Sequence, residues 1–128
     1  MRFLLDTHAL LWWLTGDRSL SDPARKLLSR SGNTVVVSAA SAWEIATKAR
    51  LGKLPIPLDL VDGLARSLEQ EGFESLPVSL DHGVRAGLLP GPHKDPFDRM
   101  LIAQAQAENV PIVSKDAVFD AYGVRRLW

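Results

Sequence analysis

The run Arg2-Phe3-Leu4-Leu5 stops abruptly at Asp6-Thr7-His8. So short a stretch, with almost no polar relief, reads as a strand covered on both faces; a half-exposed strand would alternate. The pattern returns in Thr34-Val35-Val36-Val37, which is β-branched throughout, and again in Pro111-Ile112-Val113-Ser114 ahead of Lys115-Asp116. Residues 73–78 read as a weaker strand, and residues 124–128 as a last edge strand.

Helical signals fill the intervals. Residues 8–14 form a short apolar helix ended by Thr15-Gly16-Asp17, and the adjoining Trp12 and Trp13 cannot share a face, which predicts one in the core and one at an interface. Ser21-Asp22-Pro23 opens a helix to about Arg30, with Ser21 as cap and Pro23 in the first turn, where its missing N–H costs nothing. In residues 38–51, Ala42, Ile45, Ala46 and Ala49 supply an apolar stripe, with Glu44, Lys48 and Arg50 off it. Asp59 caps a predicted helix through Leu60, Leu64 and Leu68 to Gly72. Ser79 starts a short helix that Pro90-Gly91-Pro92 stops, and Asp95-Pro96 opens a strong one over 97–108; a turn of helix holds Val118 and Phe119. Strands alternating with helices imply right-handed crossovers and a sheet covered on both faces. The expected fold is a three-layer α/β/α sandwich with a four- or five-stranded, mainly parallel sheet, and residues 1–128 form a single domain.

Composition narrows the chemistry. Fifteen basic and fifteen acidic residues cancel, so nucleic-acid binding would need a local basic patch. With no cysteine, disulfides, thiolate zinc sites and cysteine nucleophiles are excluded, which fits a reducing cytoplasm. Asp6 and His8 interrupt the apolar stretch that opens the chain, so it reads as neither signal peptide nor membrane span, and a soluble, intracellular protein is expected.

Four acids stand out once the elements are placed. Asp6 ends the first strand and Asp116 the fourth; Glu44 lies about two turns into the helix after the second strand. Parallel strands put these three at the carboxyl edge of the sheet, where ligands bind in open α/β folds. Asp98 begins a helix that runs antiparallel to the strands, so its first turn returns to the same edge. Each acid also has a local explanation: Asp6 and Asp116 as helix caps, Glu44 as the i, i+4 partner of Lys48, Asp98 as the third-position partner of Asp95 in a capping box. One shared reason accounts for four acids at one edge more simply than four separate ones. Clustered carboxylates raise one another's pKa values and call for a cation; oxygen donors without cysteine point to Mg²⁺ or Mn²⁺, ions that activate water against phosphodiesters.

The order Asp6-Thr7, Trp43-Glu44-Ile45 before Lys48 and Gly52-Lys53-Leu54, then Asp95-Pro96-Phe97-Asp98-Arg99 before Leu101-Ile102-Ala103-Gln104-Ala105, then Ser114-Lys115-Asp116, resembles PIN-domain proteins. Within them it looks most like the VapC-type toxins of bacterial toxin–antitoxin pairs, over nearly the whole chain. The resemblance implies a metal-dependent endoribonuclease, usually a homodimer, restrained by a cognate antitoxin, with Asp6, Glu44, Asp98 and Asp116 as the acids. Thr7 and Asp95 become supporting candidates. Lys48, Lys94, Arg99 and Lys115 flank the acids as a candidate phosphate track, and His93, unlike His8 and His82, falls in a plausible site loop. No tryptophan sits within a basic stretch, so all four read as core or protein interface rather than base-stacking platforms.

Two rivals compete. A phosphotransfer or phosphatase domain with Asp6 as nucleophile needs paired acids after the first strand or a D-x-D sequence, and Asp6-Thr7-His8 offers neither. A non-catalytic binding module of the same fold has no need to keep four acids. No P-loop or G-x-G-x-x-G supports a nucleotide cofactor.

Overall fold

In the computed structural model, which describes residues 1–128, five parallel strands run in the order β3-β2-β1-β4-β5: β1 is Arg2–Leu5, β2 Thr34–Ser38, β3 Glu74–Leu76, β4 Ile112–Val113 and β5 Arg126–Leu127. The strand order reverses between β1 and β4, so the crevice for a ligand opens beside the end of β1. The helices are α1 (Thr7–Thr15), α2 (Asp22–Ser29), α3 (Ala39–Arg50), α4 (Leu58–Asp62), α5 (Leu64–Gln70), α6 (Leu80–Leu88) and α7 (Pro96–Glu108), with a 3₁₀ turn at Ala117–Tyr122. None is long and apolar enough to cross a membrane.

The continuous apolar runs are explained by two cores. Phe3, Leu5, Val35, Val37 and Val113 point to one face of the sheet, where Leu10 of α1, Leu28 of α2, Ile45 of α3 and Leu64 and Leu68 of α5 meet them. Leu4, Val36, Leu76 and Ile112 point to the other, against Leu101, Ile102 and Ala105 of α7 and Phe119 of the 3₁₀ turn. Successive side chains of a strand face opposite ways, so a strand lying between two helical layers has no position left for a polar residue.

Helix starts follow the capping residues. Ser21, Ser38, Ser79 and Asp95 each cap the helix that follows through a side-chain oxygen, and α6 closes a full capping box with His82.

Three expectations need correction. The helix predicted from an Asp59 cap to Gly72 is two helices, broken at Gly63; Pro57, extended at φ −59°, starts the first without a side-chain cap, and Asp59 lies in its first turn. Only Leu64 and Leu68 of the predicted stripe are buried, while Leu60 is exposed. On α3 the buried face is Ala40, Ser41, Glu44 and Ile45, so Glu44 lies on the inner face rather than off it; the helix is turned to bring its acid inward. Neither Trp12 nor Trp13 is fully core: each is half-buried under another aromatic ring, Trp12 against Trp128 at 5.8 Å and Trp13 against Phe73 at 6.2 Å between centroids.

Candidate active site

Asp6 leaves β1 with its backbone N–H donating to the Val113 carbonyl of β4 at 3.0 Å. It is the cap of α1: Oδ1 accepts from the Thr7 N–H at 2.8 Å. The other oxygen is separately employed, accepting from Ser114 Oγ at 2.6 Å. Asp6 is 5% exposed, and burial is the main cause that lifts its pKa from 3.8 to about 6; the charge of Asp98 adds to this, and the Ser114 hydrogen bond opposes it. A capping aspartate on the surface would show no such stress. With both oxygens engaged and no second acid beside it in sequence, Asp6 is poorly presented as an attacking nucleophile.

Glu44 does pair with Lys48, as i, i+4 spacing suggests, but at 4% exposure this is a buried carboxylate with one cation on it, not a surface pair. Glu44 in turn raises the Lys48 pKa, chiefly through the hydrogen bond, and Asp95 and Asp98 add to the effect.

Asp98 sits in the first turn of α7, where its backbone N–H donates to Asp95 Oδ1 at 2.9 Å. Its own carboxylate does not complete a capping box. Instead Oδ2 meets His93 Nε2 at 2.9 Å. Burial is the first cause that raises the Asp98 pKa; His93 opposes it, and Asp95 and Glu44 add repulsion. Desolvation, more than the mutual repulsion foreseen from the sequence, therefore strains both Asp6 and Asp98.

Asp116 is different. It is exposed, and its Oδ1 accepts from the Val118 N–H at 3.0 Å as cap of the 3₁₀ turn. Its link to the other acids is indirect: the Asp116 N–H donates to Ser114 Oγ at 3.0 Å, the same hydroxyl that donates to Asp6.

Asp98 is thus the link among the acids, its charge felt by Asp6 and its own pKa raised in part by Asp95 and Glu44, while Asp116 is tied in only through Ser114. No three acidic or histidine side chains stand round a common point as a finished ligand set. The pairing of Glu44 with Lys48 expected from the spacing is present, and two further contacts hold the acids: Ser114 Oγ donates to Asp6, and His93 Nε2 meets Asp98. The donor set still suits a hard divalent ion, being carboxylate oxygens of which two are held above their ordinary pKa by burial.

The supporting candidates divide. Thr7 Oγ1 donates to Ser41 Oγ at 2.9 Å, so it is the Thr7 backbone, not its hydroxyl, that holds Asp6. His93 touches Asp98, and Asp95 caps α7. Arg99 departs from the phosphate track: its guanidinium donates to the carbonyls of His93 at 3.0 Å, Ala86 at 3.0 Å and Leu89 at 2.6 Å, bracing the loop that carries His93. Lys94 and Lys115 are exposed. His8 is exposed, while His82 is buried in the α6 capping box. Ser114 enters the sequence only as a member of Ser114-Lys115-Asp116, without a role of its own, and Ser41 carries no signal there. A strand-end serine carries no signal by itself; only the β1–β4 register sets Ser114 beside Asp6.

The PIN domain family matches residues 3–124. The chain belongs to that family. Over 58 residues it is 40% identical to Ribonuclease VapC16 of Mycobacterium tuberculosis, a match covering 45% of this chain and 40% of that relative's length. Among solved structures, VapBC2 from Rickettsia felis, bound to a DNA fragment from its promoter, aligns with a TM-score of 0.70 at 18% identity, over 99% of this chain and 98% of that one. VapC20 of Mycobacterium tuberculosis, described as a Sarcin-Ricin loop cleaving toxin, aligns at 0.69 and 16%, over 95% of each chain. FitAcB from Neisseria gonorrhoeae aligns at 0.68 and 19%, over 100% of this chain and 97% of that one. At such identities the structural likeness concerns the fold, and it is the PIN sandwich.

Proposed function

We propose that this PIN domain, acting as one unit over residues 1–128, is a divalent-metal-dependent endoribonuclease. In this reading it is the toxin of a type II toxin–antitoxin pair, works in the cytoplasm, and is restrained by a cognate antitoxin. The observation that carries the reading is the buried Asp6 carboxylate, raised to about pH 6 beside Asp98 at the point where strand order reverses. Relatives named as a ribonuclease and as a loop-cleaving toxin support the substrate class.

Asp6, Glu44 and Asp98 are the residues that would hold Mg²⁺ or Mn²⁺, with Asp116 closing the set from the margin through Ser114. Such an ion supplies Lewis acidity at a phosphoryl oxygen and a water of lowered pKa. The chain's own groups do the rest. Ser114 Oγ fixes Asp6 Oδ2, and Arg99 anchors the loop from which His93 Nε2 orients Asp98 Oδ2. Lys48 donates to the buried Glu44 carboxylate, and would be free to meet a phosphate when that carboxylate turns to a cation.

The test is direct. The purified protein should cut RNA with Mg²⁺ or Mn²⁺ and stop in EDTA; a fully active Asp98→Asn enzyme would refute the assignment. Cleavage absent and no metal bound in calorimetry would leave a binding module of the same fold.

A homodimer belongs to the same proposal. Leu80, Val84 and Leu88 lie at i, i+4 and i+8 of α6 and are exposed, and Asp81 pairs with Arg85 along the same helix at 2.7 Å. An apolar row of this kind is self-complementary about a two-fold axis, where the same patch of each copy packs on the other. Sedimentation should give a dimer for the native chain and a monomer for Val84→Asp.

A further inference from the structure

The loop between α6 and α7 carries His93, and Arg99 grips it at the carbonyls of Leu89 and His93. The stretch between those two points is bare. Pro90 and Pro92 have no N–H to donate, and no backbone hydrogen bond ties residues 90–92 to the rest of the chain. An open cavity of about 560 Å³ runs along them, bounded on its far side by Val118 and Tyr122 of the 3₁₀ turn. At Gly91 the loop meets that turn. Gly91 is in the left-handed region at φ +92°, and a β-carbon there would lie 2.8 Å from Tyr122 Oη and 3.4 Å from its Cζ. The hydroxyl is shut off from solvent and has no hydrogen-bond partner. A phenylalanine would avoid the penalty of burying an unpaired polar group, so the hydroxyl calls for another explanation.

We infer that Tyr122 is a positioning residue of the nuclease site: its hydroxyl, seated against Gly91, sets the height of the loop at which His93 Nε2 meets Asp98 Oδ2. The inference rests on the nuclease reading and adds to it a residue that acts through His93. The ring has a fixed base. Tyr122 packs with Leu89 and Val118 against the second core, and its carbonyl accepts from Gln106 Nε2 of α7 at 3.0 Å. Asp116 caps the turn that presents it. From that base the phenol reaches the middle of the loop, where Arg99 has no hold, and a glycine lets it come so near. Pro92, its φ fixed by its ring, passes a displacement of Gly91 on to His93 instead of absorbing it. His93 Nε2 lies 2.9 Å from Asp98 Oδ2. A shift of about 1 Å in the loop would break that contact.

The test uses the full chain, with Mn²⁺ binding followed by calorimetry. Tyr122→Phe deletes only the unpartnered hydroxyl, so its Tm should equal or exceed that of the native chain. Its Mn²⁺ affinity should nonetheless fall by at least about threefold, a fraction of the roughly 10- to 100-fold expected for His93→Ala, which removes the partner of a metal ligand. Gly91→Ala, which drives a methyl group into Oη, should also weaken binding, and adding Tyr122→Phe to it should restore affinity instead of lowering it further. In the His93→Ala background Tyr122→Phe should change nothing. A tyrosine that served the fold alone would show neither effect. In the metal-free protein, the His93 imidazole NMR signal of Tyr122→Phe should move toward that of Asp98→Ala, where the ring has no carboxylate to meet. Unchanged Mn²⁺ affinity or an unmoved His93 signal in Tyr122→Phe overturns the inference and leaves the nuclease reading standing. Additive losses in Gly91→Ala with Tyr122→Phe do the same. A native chain that binds no Mn²⁺ and cuts no RNA removes the nuclease reading, and the His93 signal then still decides whether Tyr122 sets the loop.

Discussion

Asp6 and Asp116 occupy equivalent places in the chain: each follows a parallel strand, the two strands are neighbours, and each carboxylate caps the helical turn after it. Their surroundings are opposite. Asp6, at the start of α1, is 5% exposed, its pKa driven to about 6; Asp116 is open to solvent and caps only the 3₁₀ turn. Ser114 stands between them, donating to one and accepting from the other. Position at a sheet edge makes an acid available; burial makes it reactive toward a cation, because a desolvated carboxylate gains most from a counter-charge.

The contrast breaks most readily in activity. Asp6→Asn or Asp98→Asn should slow RNA cleavage by at least about a thousandfold, or some 4 kcal/mol of barrier, and Asp116→Asn by less than about tenfold. Equal losses at Asp6 and Asp116, in initial rates under saturating metal, would abolish the distinction.

Stability comes next, with the sign reversed from activity. A folded pKa near 6 against 3.8 means that the folded state binds its proton more tightly, so Asp6 costs stability as pH rises from about 4 to 6 and costs none below 3.8. Asp6→Asn should therefore stabilise the metal-free protein at pH 7.5 by up to about 3 kcal/mol, and by nothing at pH 3.5. Urea denaturation at the two pH values reads this directly, and a pH-independent difference would deny the burial stress.

Ser114→Ala sharpens the comparison from the middle. Removing a donor to a buried charge should cost about 1.5–3 kcal/mol at pH 7.5, less at pH 4 where Asp6 is protonated. Asp116→Ala should give the smallest change, about 1 kcal/mol for a lost cap. Thermal melts of the two variants at both pH values separate a charge effect from a capping effect.

Much of the architecture was legible because the signals are local. Ser21-Asp22-Pro23 and Asp95-Pro96 announce α2 and α7 through caps and a proline where no N–H is needed, and the β-branched run 34–37 announces β2. The break at Gly63 escaped because Leu60, Leu64 and Leu68 keep helical spacing across it. The inward turn of Glu44 escaped because small alanines competed for the same face, and a buried acid violates the pattern that periodicity relies on.

The sequence by itself determined the class of fold and offered four acids as candidates, since strand runs, caps and residue types are properties of neighbours along the chain. The tertiary structure alone decided which acids are desolvated, that Ser114 and Lys48 hold two of them, and that Arg99 braces a loop instead of meeting solvent. Burial and electric field depend on what packs alongside from remote positions. No window of sequence contains that information.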